Sequence, residues 1–223
     1  MLPVLFSCEH ATCTVPGAHE ALFAECRELL TSPAGWDPGA LNLAQAFAMR
    51  YRTPLIHSEV TRLLIDAEKD GESPWSEYSS DLSEFSKKHL IERHHQAYWS
   101  QLRARITTEL GRNQELLHVM VHTSPSEESH VLLESSPGAI LAVELAAQWK
   151  AALEHPDLTI HHSADVGPSA LGAHLASKFP VERYAQLRLR VSQQFFLNSK
   201  PWRWTAIKDH LLDSLALALK PKE

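Results

Sequence analysis

Hydrophobic positions fall into two regimes along this chain: short unbroken apolar runs, and longer stretches in which apolar residues return every three or four positions. The runs lie at 2–6 and, within the segment 118–122, at 119–121 between two histidines, and each segment fits a strand covered on both faces of a parallel sheet. A short helical patch is predicted at 20–30. After Asp37-Pro38-Gly39-Ala40, the residues Leu41, Ala44, Phe47, Ala48 and Tyr51 recur at helical spacing, with Asp37 as a good N-cap and Pro38 as a favoured first helical residue. Leu90, Ile91, Tyr98, Leu102 and Ile106 predict one long amphipathic helix over 84–110. Further helices are predicted over 140–153, 170–177 and 205–219. Extended segments are predicted over 55–60, 62–66, 158–161 and 187–191, and 67–83 is polar and loop-like. Strands alternate with helices, which predicts a three-layer α/β fold with a mostly parallel or mixed central sheet and helices on both faces. With no linker-like stretch or internal repeat, residues 1–223 read as one domain.

Composition narrows the class of function. The chain is 44% hydrophobic and 22% charged, as expected of an ordinary globular protein. Its net charge of −6 and the lack of a basic run argue against a nucleic-acid partner, because a phosphate backbone is bound mainly by clustered cations. The three cysteines, Cys8, Cys13 and Cys26, fit neither a disulfide framework nor a common zinc–thiolate spacing. No apolar run approaches the ~20 residues that span a bilayer. The chain start reaches polar Ser7 without a basic segment, so no signal peptide is expected and the cytoplasm is the expected compartment.

Open α/β sheets gather ligands at the carboxyl ends of their strands. Two predicted strands end in histidine, His10 and His122, and Asp37 opens a helix expected on the same rim. Two imidazoles and one carboxylate with an open fourth position suit zinc or another divalent metal. Spacing alone leaves alternatives, since the chain holds 14 histidines and Asp37 already has a role as an N-cap. His118 shares a strand face with His122 and is either a core histidine or a neighbour of the site. Adjacent pairs such as His94-His95 and His161-His162 do not chelate from one helix and read as surface residues. No Gly-x-Gly-x-x-Gly or Walker loop points to a nucleotide.

Four segments, in order, carry a resemblance: Ser7-Cys8-Glu9-His10-Ala11 with Val15-Pro16; Trp36-Asp37-Pro38-Gly39-Ala40; Thr61-Arg62-Leu63-Leu64-Ile65-Asp66; and His122-Thr123-Ser124-Pro125. Over roughly residues 3–125 the chain resembles the N-formylglutamate amidohydrolases, a family similar in fold and motif order to the zinc carboxypeptidases. The resemblance implies a phosphorylase/hydrolase-like fold, with His10, Asp37 and His122 as metal ligands and zinc as the suspected metal. It also implies a small-molecule substrate, an N-acylated amino acid cleaved at its C–N amide bond. Glu9, the catalytic candidate, could touch the metal, orient water or form a structural hydrogen bond. Arg62 and Asp66 are candidate substrate contacts; the alternative is an Arg62–Asp66 ion pair.

Three departures bear on function. The family follows its Asp with Asn-Arg, a carboxylate-binding pair, where this chain has Glu68 and Lys69. An acid there would repel an anionic substrate, although Lys69 keeps one positive charge as a candidate contact. Beyond the second histidine motif the family has an Arg, and this chain offers Glu127, Glu128 and His130. Finally, Leu187-Arg188-Leu189-Arg190-Val191-Ser192 aligns Arg190 with the family's general-base Glu, and a guanidinium cannot accept that proton. Arg190 is then a candidate substrate contact, and Glu182 or Glu144 the candidate replacement base. The expectation is a metal-dependent amidohydrolase for a substrate other than N-formylglutamate. The alternatives are a catalytically silent relative that binds a ligand or partner, and peptidase action on peptidoglycan or short peptides.

Overall fold

The computed structural model describes residues 2–125, 128–136 and 138–220. Among them, strands β1 (Val4–Cys8), β2 (Leu55–His57), β3 (Leu116–Ser124), β4 (Val131–Glu134), β5 (Ile160–Ser163) and β6 (Tyr184–Ser192) form one sheet in the order β2-β1-β3-β6-β4-β5. All pairs are parallel except β4 with β6. The helices are α1 (Arg27–Thr31), α2 (Ala40–Tyr51), α3 (Glu84–Leu90), α4 (Ala97–Arg112), α5 (Ile140–Leu153), α6 (Ala170–Lys178), α7 (Gln194–Leu197) and α8 (Trp204–Ala218).

The central strands β1 and β3 are mostly apolar because both faces of the sheet are covered. In β1, Val4 and Phe6 face one layer with Leu117 and Val119 of β3, against Phe47 of α2, Trp149 of α5 and Leu211 of α8. Leu5 faces the other way with Leu116 and Met120, against Leu102 and Ile106 of α4 and Leu171 and Leu175 of α6. Period-two alternation therefore sends Ser7 and Glu9 towards α4, and His118 and His122 share their face. The predicted three-layer α/β fold is what the chain adopts.

Several local expectations are corrected. Residues 62–66 are a tight turn rather than a strand: Leu64 and Ile65 donate back to the Thr61 carbonyl, and the Thr61 hydroxyl donates to Gly35 O at 2.8 Å. The long helix is interrupted by a π-helical turn (Ile91–Gln96) between α3 and α4. Asp37 does not cap α2 with its side chain; Gly39 is the cap residue, at φ +88°. Strand β4 was not predicted, since four residues carry no periodicity.

Candidate metal centre

The site lies where β1, β3 and α2 converge. His10 follows β1, His122 sits near the end of β3, and Asp37 precedes α2. The Asp37 N–H donates to the His10 carbonyl at 2.9 Å, which ties the two loops together. Gly39 makes the turn: its positive φ suits glycine, and a Cβ there would lie 2.9 Å from the Phe196 ring. The chain thereby turns the Asp37 carboxylate back towards the rim. One ligand atom from each of His10, Asp37 and His122 lies within 4.8 Å of the others. Asp37 Oδ2 is 2.7 Å from His122 Nδ1 and 3.7 Å from His10 Nδ1.

The far edges of both imidazoles meet carboxylates. Arg62 donates to His10 Nδ1 at 2.9 Å, so that nitrogen carries a lone pair and Nε2–H donates to Asp66 Oδ1 at 2.9 Å. His122 Nε2 is 3.3 Å from Glu9 Oε2, and each of these buried atoms is without a hydrogen-bond partner among the described residues. The other Glu9 oxygen accepts from the Ser7 and Tyr98 hydroxyls at 2.6 and 2.7 Å. Because the Ser7 proton is spent on Glu9, Ser7 accepts from His118 Nε2–H at 2.8 Å. That leaves His118 Nδ1 to accept from the Tyr184 hydroxyl at 2.7 Å. A one-way chain of donors thus runs from the core to Glu9.

Electrostatics follow from this wiring. Burial opposes the Glu9 charge, but His122 and Ser7 outweigh it and hold the carboxyl down to about 2. Burial likewise opposes a charged His122, yet Glu68, Asp37 and Glu9 together push it up to about 10. Asp37 lies well below the usual carboxylate range, burial being overcome by His10 and His122. Burial, against the pull of the Glu9 charge, lowers His118 to about 4, so it is neutral.

The remaining predicted residues lie nearby. Arg62 forms its ion pair with Asp37 (2.8 Å) rather than Asp66, and its guanidinium also donates to Ala34 O, Trp36 O and Pro33 O. Lys69 is exposed and reaches Trp75 O at 3.4 Å. Arg190 donates to Glu134 Oε2 at 2.8 Å. Glu144 is exposed on α5, which packs on the opposite face, and Glu182 precedes β6 at the end remote from Arg190, so neither reaches the site. His130 accepts from the Thr159 N–H at 2.8 Å, and Glu127 lies outside the described residues. His95, expected at the surface, is buried and donates to Lys69 O at 2.8 Å.

Sequence reasoning missed Glu68 and Arg188 as neighbours of the centre. Glu68 oxygens lie 3.8 Å from His10 Nε2 and 3.9 Å from His122 Nε2, and Arg188 grips the same carboxylate at 2.5 Å. The available signal was strand parity: Arg188 and Arg190 pair with Met120 and His122, so both arginines share the face of the site.

The donors fit a divalent ion. Five carboxylates cluster here (Glu9, Asp37, Asp66, Glu68 and Glu134) with three guanidiniums (Arg62, Arg188 and Arg190), which leaves two negative charges when the histidines are neutral. One divalent ion supplies the matching charge, and two imidazole nitrogens with one carboxylate oxygen are common ligands for such ions. Among the described residues no helix is long and apolar enough to cross a membrane.

Comparison with known proteins bears on the fold and on the family. The chain superposes on the gene product Atu2144 of Agrobacterium tumefaciens with a TM-score of 0.80 at 22% identity, covering 97% of this chain and 88% of that one. It superposes on an N-formylglutamate amidohydrolase from Ralstonia eutropha JMP134 with a TM-score of 0.67 at 15% identity, covering 98% and 92%. At these identities the likeness is one of fold. None of the curated proteins matches the chain in sequence. The family model described as N-formylglutamate amidohydrolase matches residues 2–165, well beyond the four motifs, and the chain belongs to that family.

Proposed function

We propose that the chain, acting as one cytoplasmic domain, is a metal-dependent hydrolase of a C–N amide bond in a small N-acylated substrate. The observation that carries this reading is the convergence of His10, Asp37 and His122 on one point, with Glu9 Oε2 and His122 Nε2 buried and unpartnered beside it. His10 Nδ1, Asp37 Oδ2 and His122 Nδ1 would hold the ion, which would take the His10 Nδ1 lone pair in place of the Arg62 hydrogen bond, with zinc the first choice for this donor set. When bound, the ion supplies Lewis acidity towards the amide carbonyl and towards water.

Glu9 and Asp66 act on the ligands rather than on the substrate. Each faces the ring nitrogen remote from Asp37, and a carboxylate there fixes the tautomer and orientation of a metal-binding histidine. Arg62 anchors the loop at Pro33–Trp36 and holds Asp37 Oδ1, which leaves Oδ2 to face the histidines. Glu68, partly open and near both imidazoles, takes the proton from the attacking water and returns it to the leaving amine. Arg190 in the place of the family's base favours a catalytically silent relative, and Glu68 is the feature that speaks against that second reading.

The test is metal analysis combined with turnover. Zinc-loaded protein should carry about one ion per chain and hydrolyse members of an N-acyl amino acid panel. His10→Ala and His122→Ala should lose the ion and lower kcat/KM by about 10³-fold or more. Full metal content in both variants would refute the site, and no turnover of any substrate by metal-replete protein would refute the activity.

A further inference from the structure

The face that carries the metal centre continues past Glu68 into a small cleft between β6, the end of β4 and the start of α6. It is a small cavity of about 30 Å³, partly open to solvent and sized for a group of a few heavy atoms, and its walls include Met120, Glu134, Ser135, Ser169, Gln186 and Arg188. Arg188 joins cleft to centre, since NH2 holds Glu68 while the same side chain lines the cleft.

Charge in this cleft is already matched. Arg188 is committed to Glu68 at 2.5 Å and approaches Glu134 at 3.8 Å; Arg190 donates to Glu134 at 2.8 Å. A substrate carboxylate entering here would lose its hydration, meet two carboxylates, and find each guanidinium already held by one of them. What the walls offer instead are the Ser169 hydroxyl proton, whose oxygen accepts from Gly172 N–H, the Gln186 carboxamide oxygen, whose amino group donates to Gly172 O, and the Arg188 Nε–H, a buried donor without a hydrogen-bond partner among the described residues. These suit an uncharged group with an oxygen acceptor.

We propose that this cleft is the side-chain subsite of the amide substrate, and that Glu134 sets its specificity by holding Arg190 and Arg188 away from anions. The subsite takes a neutral hydrogen-bonding group such as a carboxamide and rejects a carboxylate of the same shape. The proposal rests on the amidohydrolase reading and deepens it by naming the substrate class.

The experiment compares N-acylglutamine with N-acylglutamate, which differ by one amide in place of one carboxylate. The metal-loaded wild type should favour the glutamine compound at least tenfold in kcat/KM. Glu134→Gln should narrow that ratio threefold or more by raising kcat/KM for the glutamate compound. Equal or greater turnover of the glutamate compound by the wild type, or an unchanged ratio in a folded, metal-replete variant, would overturn the proposal. Calorimetric binding of glutamine against glutamate to the wild type reads the same order without turnover or a variant. If that order holds while no amide is cleaved, the amidohydrolase reading falls and the subsite stands; equal binding removes the subsite.

Discussion

At the β1–β3 end of the rim, buried polar atoms are left open: Glu9 Oε2 and His122 Nε2 have no hydrogen-bond partner among the described residues, and Asp37 Oδ2 faces two imidazoles. At the β6–β4 end, on the adjoining strands, arginines and glutamates close on one another as Glu68–Arg188 and Glu134–Arg190. Both ends are rich in charge and both are largely shielded from water, yet the first leaves a carboxylate oxygen and an imidazole nitrogen unmatched, whereas at the second each carboxylate has its guanidinium and the atom left open is a donor, Arg188 Nε–H. Leaving a buried polar group unmatched costs about 1–3 kcal/mol; an ion on His122 Nδ1 would fix the ring proton on Nε2, where it faces Glu9 Oε2 and matches both atoms. A closed set of ion pairs needs no ligand and instead decides which charges are refused. The contrast separates an end that waits for a cation from an end that filters the substrate.

The largest expected effect, after loss of the ligands themselves, tests whether the open end is organised around the ion. Asp66→Asn and Glu9→Gln keep shape but remove the charge on the far edge of His10 and His122. Each should weaken divalent-ion affinity by about 10–100-fold, read by competition with a chromophoric chelator. If Glu9→Gln kept wild-type affinity and lost only kcat, Glu9 would belong to the reaction and not to the ligand's support.

How much of this was legible in the sequence follows from the range of the contacts. His10 and His122 were readable because each closes an apolar run, and the run and its histidine are neighbours in the chain. Asp37 was half readable: a helix does begin just after it, but its carboxylate serves a tertiary partner 85 residues away, His122, instead of capping the helix. The turn at 62–66 was misread because its cause lies elsewhere, in the backbone at 33–36 that Thr61 and Arg62 bind. The closed end was least legible of all. Glu68 and Arg188 stand 120 positions apart, and Glu134 rides on a strand too short to leave a period. Glu68 looked like the loss of an anion site, whereas its position beside both histidines makes it part of the centre.

A second effect, expected to be smaller, follows the open end through pH. Without metal, His122 is raised from 6.5 to about 10, so its contribution to stability is complete below pH 6.5 and is lost as pH rises towards 10. Glu9 is lowered from 4.5 to about 2, so its contribution is complete above pH 4.5 and is lost as pH falls towards 2. Metal-free protein should therefore be most stable between these limits, with Tm falling by several °C between pH 6.5 and 10. Metal replaces the proton on His122, so loading the ion should flatten the alkaline limb. An alkaline limb of equal slope with and without metal would place the titration elsewhere and dissolve the contrast.

The smallest effect concerns the loop that carries Glu68 between the two ends. Its backbone carbonyls are held one after another: Trp99 Nε1–H donates to Ala67 O at 2.7 Å, the Leu171 N–H to Glu68 O at 3.1 Å, and His95 to Lys69 O at 2.8 Å. Three donors on three different elements hold three consecutive carbonyls, so the loop is tied down although its sequence is polar and reads as loop-like. Trp99→Phe removes one donor, keeps most of the ring, and should cost about 1 kcal/mol, or about 2–4 °C in Tm for a chain of this size. Because neither ligand nor ion pair is touched, metal content should stay at the wild-type level while kcat falls modestly, as Glu68 loses its fixed height above the histidines. A variant that kept its kcat while losing metal would mean that the loop supports the open end alone, and the bridge between the two ends would have to be sought in Arg188.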